Sequence, residues 1–200
     1  MMIDQLRCAM LAPIRRAIAI GFVAFAPALL AGPIGFDTWS QFGFSDVGIA
    51  ATGCDPADPA GPFCIPSSGT PTIFLDAPPW TFTTAGSAVL TVTDAFTSGD
   101  QFEVFDFGVS LGLTSLPGAV EVDCGDDPIA CLATAGVSRA FFPLAAGGHA
   151  LTLFPTLSPG GGGAGYLLVV GAVPEPSSLA LLALGIVIIG VVLVVRRRKR

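Results

Sequence analysis

The feature that most constrains this chain is an unbroken run of apolar and glycine residues, 179–195, followed directly by five basic residues. As an α-helix this run would be roughly 25 Å long, close to the hydrocarbon thickness of a bilayer. Each following cation would cost about 3 kcal/mol at the bilayer centre, so the cluster stops transfer and marks the cytoplasmic side. The sequence therefore predicts a single C-terminal transmembrane helix. Its stop-transfer cluster consists of Arg196, Arg197, Arg198, Lys199 and Arg200.

A second apolar run, 17–31, lies near the N-terminus and follows Arg7, Arg15 and Arg16. It is short for a membrane span but has the length of the apolar region of a secretory signal. Small residues suited to cleavage occur at 26–28, and Ala31 is a second plausible end. The pattern predicts a signal peptide helix over 1–31. An uncleaved anchor helix is the alternative, which Pro27 disfavours.

The charge between these two ends is strongly acidic. Residues 32–172 contain thirteen acidic residues, no lysine and one arginine, Arg139. Such a segment cannot form the basic footprint of a nucleic-acid-binding protein or supply a Schiff-base lysine. The chain has no asparagine, so it has no N-glycosylation site. An acidic segment between basic ends predicts that residues 32–176 lie outside the cytoplasm.

A short motif stands immediately before the C-terminal apolar run. It consists of Val173, Pro174, Glu175 and Pro176. The two prolines exclude helix and hold this segment extended, in a form that a processing enzyme can grip. The order of Pro-Glu-Pro, apolar run and basic end resembles the tail of the PEP-CTERM proteins of Gram-negative bacteria. The resemblance covers residues 173–200. An ordinary proline-rich linker next to a membrane is the alternative.

The resemblance implies a partner and a location. The partner is an exosortase, a membrane-embedded enzyme like a transpeptidase, which would recognise and remove the tail. The protein is then expected in the inner membrane before processing, and at the cell surface, in the outer envelope or outside the cell afterwards. An envelope rich in exopolysaccharide is the expected setting, which makes exopolysaccharide a candidate partner.

Residues 32–172 show no helical periodicity, but short runs of β-forming residues alternate with Gly- and Pro-rich turns. Strands are predicted at 72–75, 80–83, 88–93, 102–107, 119–123, 149–154 and 166–170. This spacing predicts an all-β secreted ectodomain, an antiparallel β-sandwich resembling a jelly roll. The glycine-rich run 160–165 lacks the Lys and Ser/Thr of a phosphate-binding loop and is predicted to be a flexible hairpin connection.

Four cysteines remain outside the signal segment, which contains Cys8. An even number in an exported domain predicts disulfides formed in an oxidising compartment. Three connectivities are possible, and the simplest pairs neighbours. The predicted bonds are Cys54–Cys64 and Cys124–Cys131. Zinc is the alternative, but these spacings do not fit the usual cysteine pairs of zinc sites.

No catalytic residue is predicted. His149 is the single histidine, so any hydrolase triad would need it, and no Gly-x-Ser-x-Gly motif is present. The chain is therefore expected not to be an enzyme.

Acidic side chains offer one possible metal site. Asp94, Asp100, Glu103 and Asp106 fall around one predicted hairpin, and loop carboxylates suit calcium. A second acidic group, Asp123, Asp126 and Asp127, lies beside Cys124. The alternative is a solvated acidic surface that keeps the protein soluble.

Two classes of function follow for the ectodomain. One is a non-enzymatic surface or matrix protein, and the other is a carbohydrate- or calcium-binding module. Exposed Trp39 and Trp80 beside acidic residues would favour sugar binding, and buried tryptophans would favour the surface or matrix protein.

Overall fold

Short runs rich in β-branched and aromatic residues form nine strands and one short helix in the computed structural model, which describes residues 32–171. Such residues fit a pleated surface that is buried on at least one face. The elements are β1 (Trp39–Phe44), β2 (Thr72–Phe74), β3 (Trp80–Thr84), β4 (Ala88–Asp94), β5 (Gln101–Asp106), β6 (Val109–Leu113), α1 (Pro128–Ala133), β7 (Arg139–Leu144), β8 (Gly147–Leu157) and β9 (Gly163–Gly171).

The strands form two sheets. The larger has the order β2-β1-β9-β4-β7, and the smaller has the order β3-β8-β5-β6. β1 and β2 run parallel, and the other hydrogen-bonded pairs of described strands are antiparallel. The prediction of an all-β fold with mostly antiparallel sheets is confirmed.

The two sheets pack face to face around an aromatic core. Phe42 of β1 contacts Trp80 of β3 and Phe102 of β5, with ring centroids 5.8 and 5.3 Å apart. Phe44 of β1 also contacts Phe102, at 5.2 Å. All four rings are buried. Aromatic pairs of this kind contribute about 0.5–1.5 kcal/mol beyond the burial of their area, so the cluster fixes how one sheet lies on the other.

A second, smaller hydrophobic cluster covers part of the outer face of the larger sheet. Trp39 of β1 and Tyr166 of β9 point outward into this cluster, and the segments around the four cysteines and α1 fold over them. We call it the outer layer. It lets segments with little regular structure bury apolar side chains of their own.

The glycine-rich run 160–165 differs from the prediction. It connects β8 of the smaller sheet with β9 of the larger sheet, and its last three residues belong to β9. A Cβ on Gly165 would collide with the ring of Phe42, and one on Gly163 would come within 2.7 Å of the ring of Phe44. The predicted flexible hairpin is wrong, because these glycines leave room for core rings of the neighbouring strand.

Six of the seven predicted strands are present, with bounds that agree to within a few residues. The prediction of a strand at 119–123 is wrong, since this run joins neither sheet and forms only the isolated bridge between Asp123 and Thr97. β1, β6 and β7 were not predicted, because Gly43, Gly112 and Pro143 interrupt their sequence patterns.

The predicted signal peptide helix 1–31 and transmembrane helix 179–195 lie outside the described residues. Within residues 32–171, no helix has the length and apolar character needed to cross a membrane.

Candidate functional site

The Pro-Glu-Pro motif begins shortly after the end of β9. This strand is the central strand of the larger sheet and is hydrogen-bonded to β1 on one side and to β4 on the other. Leu167 and Val169 anchor it in the core, where both are fully buried. The motif, 173–176, and the basic cluster, 196–200, lie outside the described residues. Gly171, at the end of β9, is the last described residue and lies two residues before the motif.

Both predicted cysteine pairs are present. The sulfur atoms of Cys54 and Cys64 are 2.08 Å apart, and those of Cys124 and Cys131 are 2.02 Å apart. The first bond closes part of the connection between β1 and β2, and the second ties the segment before α1 to that helix. All four residues belong to the outer layer. The prediction of these pairs is confirmed, and they hold two irregular segments over the larger sheet.

The four acidic residues predicted to bind calcium are divided between three places. Asp94 and Asp100 lie together at the end of β4. Glu103 accepts a hydrogen bond from the hydroxyl of Ser110 at 2.7 Å, and Asp106 pairs with the histidine. Within residues 32–171, no three His, Cys, Asp or Glu side chains are grouped so that they could hold a metal ion. The structure does not gather the predicted set in one place, and calcium binding stays a prediction.

The second acidic group has local hydrogen-bond partners. Asp123 and Asp127 each accept a hydrogen bond from the backbone N–H two residues later, at 2.8 and 2.9 Å. Asp126 accepts hydrogen bonds from the backbone N–H and the hydroxyl of Ser68, at 3.0 and 2.8 Å. Aspartate is well suited to such local bonds in turns and helix caps. These three acids fix the loops around the second disulfide.

Asp94 is a buried carboxyl around which the turn that follows β4 is wrapped. Its Oδ1 accepts a hydrogen bond from the N–H of Ala95 at 2.8 Å. Its Oδ2 accepts hydrogen bonds from the N–H groups of Gly99 and Asp100, both at 3.1 Å. These bonds make the carboxyl the centre of the turn.

Asp94 and Asp100 form a pair that favours a shared proton. Burial, together with the neighbouring Asp100 carboxyl, raises the pKa of Asp94 to about 8. Burial also raises the pKa of Asp100. A buried carboxyl and a half-buried one beside it resist becoming charged together, so the pair retains a proton near neutral pH. Asp100 lines a cavity of about 310 Å³ that Glu121 and several glycines complete.

Arg139, the one basic residue of the described segment, bonds to backbone carbonyls. Its Nη1 donates hydrogen bonds to the carbonyls of Leu132 and Thr134, at 2.8 and 2.9 Å. These carbonyls lie at the C-terminal end of α1, where a positive charge is favourable. The cation therefore stabilises the end of a helix.

The ring of His149 is buried, and both of its nitrogens contact acceptor groups of the protein. His149 is 7% exposed, and its ring stacks on Phe82 with centroids 4.9 Å apart. Nδ1 lies 2.7 Å from Oδ2 of Asp106, and Nε2 lies 3.0 Å from the carbonyl oxygen of Ala145. Both partners are acceptors, so both ring nitrogens have structural partners and neither contacts a serine or cysteine nucleophile.

The two tryptophans are buried. Trp39 is 6% exposed and Trp80 is 0% exposed. The indole N–H of Trp80 donates a hydrogen bond to the carbonyl of Asp76 at 2.7 Å. Neither ring is available as a platform for stacking on a sugar. Both tryptophans therefore lack the exposure expected of a sugar-binding site.

Comparison with known proteins identifies the tail. Residues 172–199 match the family model of the PEP-CTERM protein-sorting motif. This motif implies exosortase-targeted sorting of an exported protein. No curated protein and no solved structure matches the chain. The match begins directly after β9, so the sorting tail starts where the larger sheet ends.

Proposed function

We propose that this chain is a non-enzymatic cell-surface or extracellular-matrix protein of a Gram-negative bacterium. Its tail would hold it in the inner membrane through the apolar run 179–195, present it to an exosortase and then be removed. The processed domain would remain in the outer envelope or outside the cell, with exopolysaccharide as a candidate partner.

The observation that carries this proposal is the match of residues 172–199 to a protein-sorting motif. Each part of the tail has a separate physical task. The apolar run is long enough to span a bilayer, and the basic cluster prevents outward slippage. Pro174 and Pro176 keep the motif extended at the outer membrane face, since proline disrupts a helix at and before its position. Glu175 places a charge in the interface.

The histidine ring and the cysteine sulfurs of residues 32–171, which could serve in catalysis, are engaged in structural contacts. This supports the proposal that the domain is not an enzyme. His149 is closed in by Asp106 and the Ala145 carbonyl, and the cysteines at 54, 64, 124 and 131 are disulfide-bonded. Disulfides also suit an exported protein, because they persist in oxidising compartments.

We further propose that β1 and β3–β9 form a jelly roll. Without β2, the larger sheet has the order β1-β9-β4-β7, and the smaller has β3-β8-β5-β6. Two four-stranded sheets whose connections pass repeatedly from one sheet to the other are typical of this architecture. β2 then extends the larger sheet at its edge, as a short strand parallel to β1.

The test replaces Pro174, Glu175 and Pro176 together with alanine, in a host that contains its exosortase. Membrane insertion should survive, because the apolar run is unchanged. The tail should stay attached, and the protein should accumulate in the inner membrane. Cell fractionation and intact mass measure both effects.

A matched variant that lacks residues 196–200 keeps the motif and should instead disturb topology and retention. If the triple-alanine variant is processed and exported like the parent, the tail is only an anchor and the proposed sorting role is wrong.

A further inference from the structure

On the outer face of the larger sheet, no segment of residues 32–171 covers the apolar side chains at the end next to Gly171. Val170 on β9, Val89 on β4 and Pro143 on β7 lie side by side in register, next to Gly171. The next row contains Leu168 and Phe141 on either side of Thr91. We call the five apolar residues of these rows, Val89, Phe141, Pro143, Leu168 and Val170, the exit patch.

The exit patch exposes large apolar side chains to water. Val89 and Val170 are 41% and 40% exposed, and Phe141 is 59% exposed. The outer layer covers Tyr166 on the same face of β9 and packs against the half-buried Leu168, whereas Val170 is exposed. Contiguous exposed apolar side chains of this kind mark surfaces that contact a partner.

The face that carries the patch has no acidic side chain on its three neighbouring strands. The outward positions of β4, β7 and β9 are Val89, Thr91, Thr93, Arg139, Phe141, Pro143, Tyr166, Leu168 and Val170. Residues 32–171 contain thirteen acidic residues, yet the single charge among these positions is the cation of Arg139. Asp37, whose N–H bonds to the carbonyl of Val169 at 2.9 Å, lies at the rim beside β9.

The length of the tail limits how far this face can be from a bilayer. Seven residues, 172–178, separate the end of β9 from the apolar run. Even when fully extended they span about 25 Å. If the run crosses the membrane, Gly171 and the adjacent exit patch are held close to the lipid headgroups.

We propose that the exit patch rests on the outer surface of the inner membrane before the tail is removed. The inference rests on the proposed anchoring role of the tail. Anionic headgroups repel an acidic surface, so the exit patch, where the outward side chains are apolar and none is acidic, is the part that a tethered acidic domain can place against them. The valine and phenylalanine side chains gain by leaving water for the interface. The contact holds the domain in one orientation while the motif is presented for processing.

The test uses the chain as it stands after the predicted removal of the signal peptide, 1–31, which also removes Cys8, so that only an introduced thiol reacts. Phe141→Cys places an environment-sensitive fluorophore in the exit patch. Ile49→Cys is the matched control, since Ile49 is exposed and follows the end of β1 that lies opposite Gly171. Both proteins are reconstituted in vesicles of phosphatidylethanolamine and phosphatidylglycerol that contain a lipid with a nitroxide on its headgroup.

The expected result is flotation of both proteins with the vesicles and strong quenching at position 141 but not at position 49. Val170→Glu should lower the quenching at position 141 to the level of the control. Flotation with equal quenching at the two positions would overturn the proposed membrane contact of the exit patch. It would still support the anchoring role of the tail. Loss of flotation would overturn the anchor and the inference with it.

The same labelled proteins also test two other partners that could cover the exit patch, a second copy of the chain and an exosortase. A protected label at position 141 in detergent, without vesicles, in a particle of twice the expected mass would assign the patch to a second copy of the chain. A label at position 141 that is not quenched in vesicles, but becomes protected when an exosortase is added, would assign the patch to the enzyme. Either result would overturn the membrane contact.

Discussion

At the scale of single residues, the buried carboxyl of Asp94 ties the stability of the fold to pH. Its pKa is raised from 3.8 to about 8 in the folded protein. Between these values the folded state holds a proton that the unfolded state has released, so stability falls as the pH rises through this range. One pKa unit corresponds to about 1.4 kcal/mol, so the loss amounts to a few kcal/mol.

Asp94→Asn should remove most of this dependence. The amide oxygen can still accept hydrogen bonds from the turn, and the side chain stays neutral at every pH. The midpoint of thermal unfolding, measured from pH 4 to pH 9, should fall for the parent and stay nearly level for the variant. Asp46→Asn changes an exposed carboxyl and should retain the slope of the parent. An equal slope in the parent and in Asp94→Asn would contradict the shared proton.

The sequence revealed where acidic residues cluster but not what each of them contacts. Asp100 lies close to Asp94 in the chain, and local spacing was enough to group them. The partner of Asp106 is His149, 43 residues away, and only the pairing of β5 with β8 brings them together. The four acids of the predicted calcium site are close in the sequence, but the fold separates them into three different environments.

At the scale of elements, the glycine run offers a matched pair of positions. Gly165→Ala places a methyl group against the ring of Phe42, whereas Gly160 has open space around the corresponding position. Overpacking of a core costs about 1–3 kcal/mol. Gly165→Ala should lower the free energy of unfolding by that amount, and Gly160→Ala should leave it almost unchanged. Denaturant titration of the two variants measures the difference, and equal stabilities would contradict the close approach of β9 to β1.

The two disulfides should contribute separately to stability. They close segments with sequence separations of 10 and 7 residues, for which chain entropy predicts about 2–3 kcal/mol each. A reductant should lower the melting temperature of the parent, and it should have no further effect once all four cysteines are alanine. Non-reducing peptide maps should link Cys54 to Cys64 and Cys124 to Cys131. Cross-linked peptides with any other pairing would contradict the structure.

Strands could be predicted where a run of β-forming residues was uninterrupted in the sequence. The order in which the strands pair within the two sheets could not be predicted. The run at 88–93 consists of apolar and β-branched residues with no Gly or Pro among them, and it forms most of β4. In β1, the buried polar residues Ser40 and Gln41 obscure the pattern further, in addition to the interruption by Gly43. The run at 119–123 alternates between apolar and acidic residues, as a half-buried strand would, but it belongs to neither sheet. Pairing depends on distant segments, which local periodicity does not report.

At the scale of the whole molecule, the distribution of charge predicts topology. The acidic segment 32–171 should lie outside the cytoplasm, since the basic residues are concentrated at the two ends of the chain. Protease added to intact spheroplasts should therefore digest this segment, while a cytoplasmic marker protein stays protected. Protection of residues 32–171 under the same conditions would exclude export.

The central place of β9 also sets the order of events when the chain is made. β9 is the last strand of the described segment, yet it fills the gap between β1 and β4. A chain synthesised from its N-terminus cannot close the larger sheet until residues 163–171 have emerged. Pairings between distant segments, such as Ser40 with Leu167, form late and slowly. The sorting tail follows β9 directly in the sequence. The last strand of the larger sheet and the sorting tail therefore become available one after the other, at the end of synthesis. A chain that stalls before residue 163 has neither a finished sheet nor the C-terminal sorting tail.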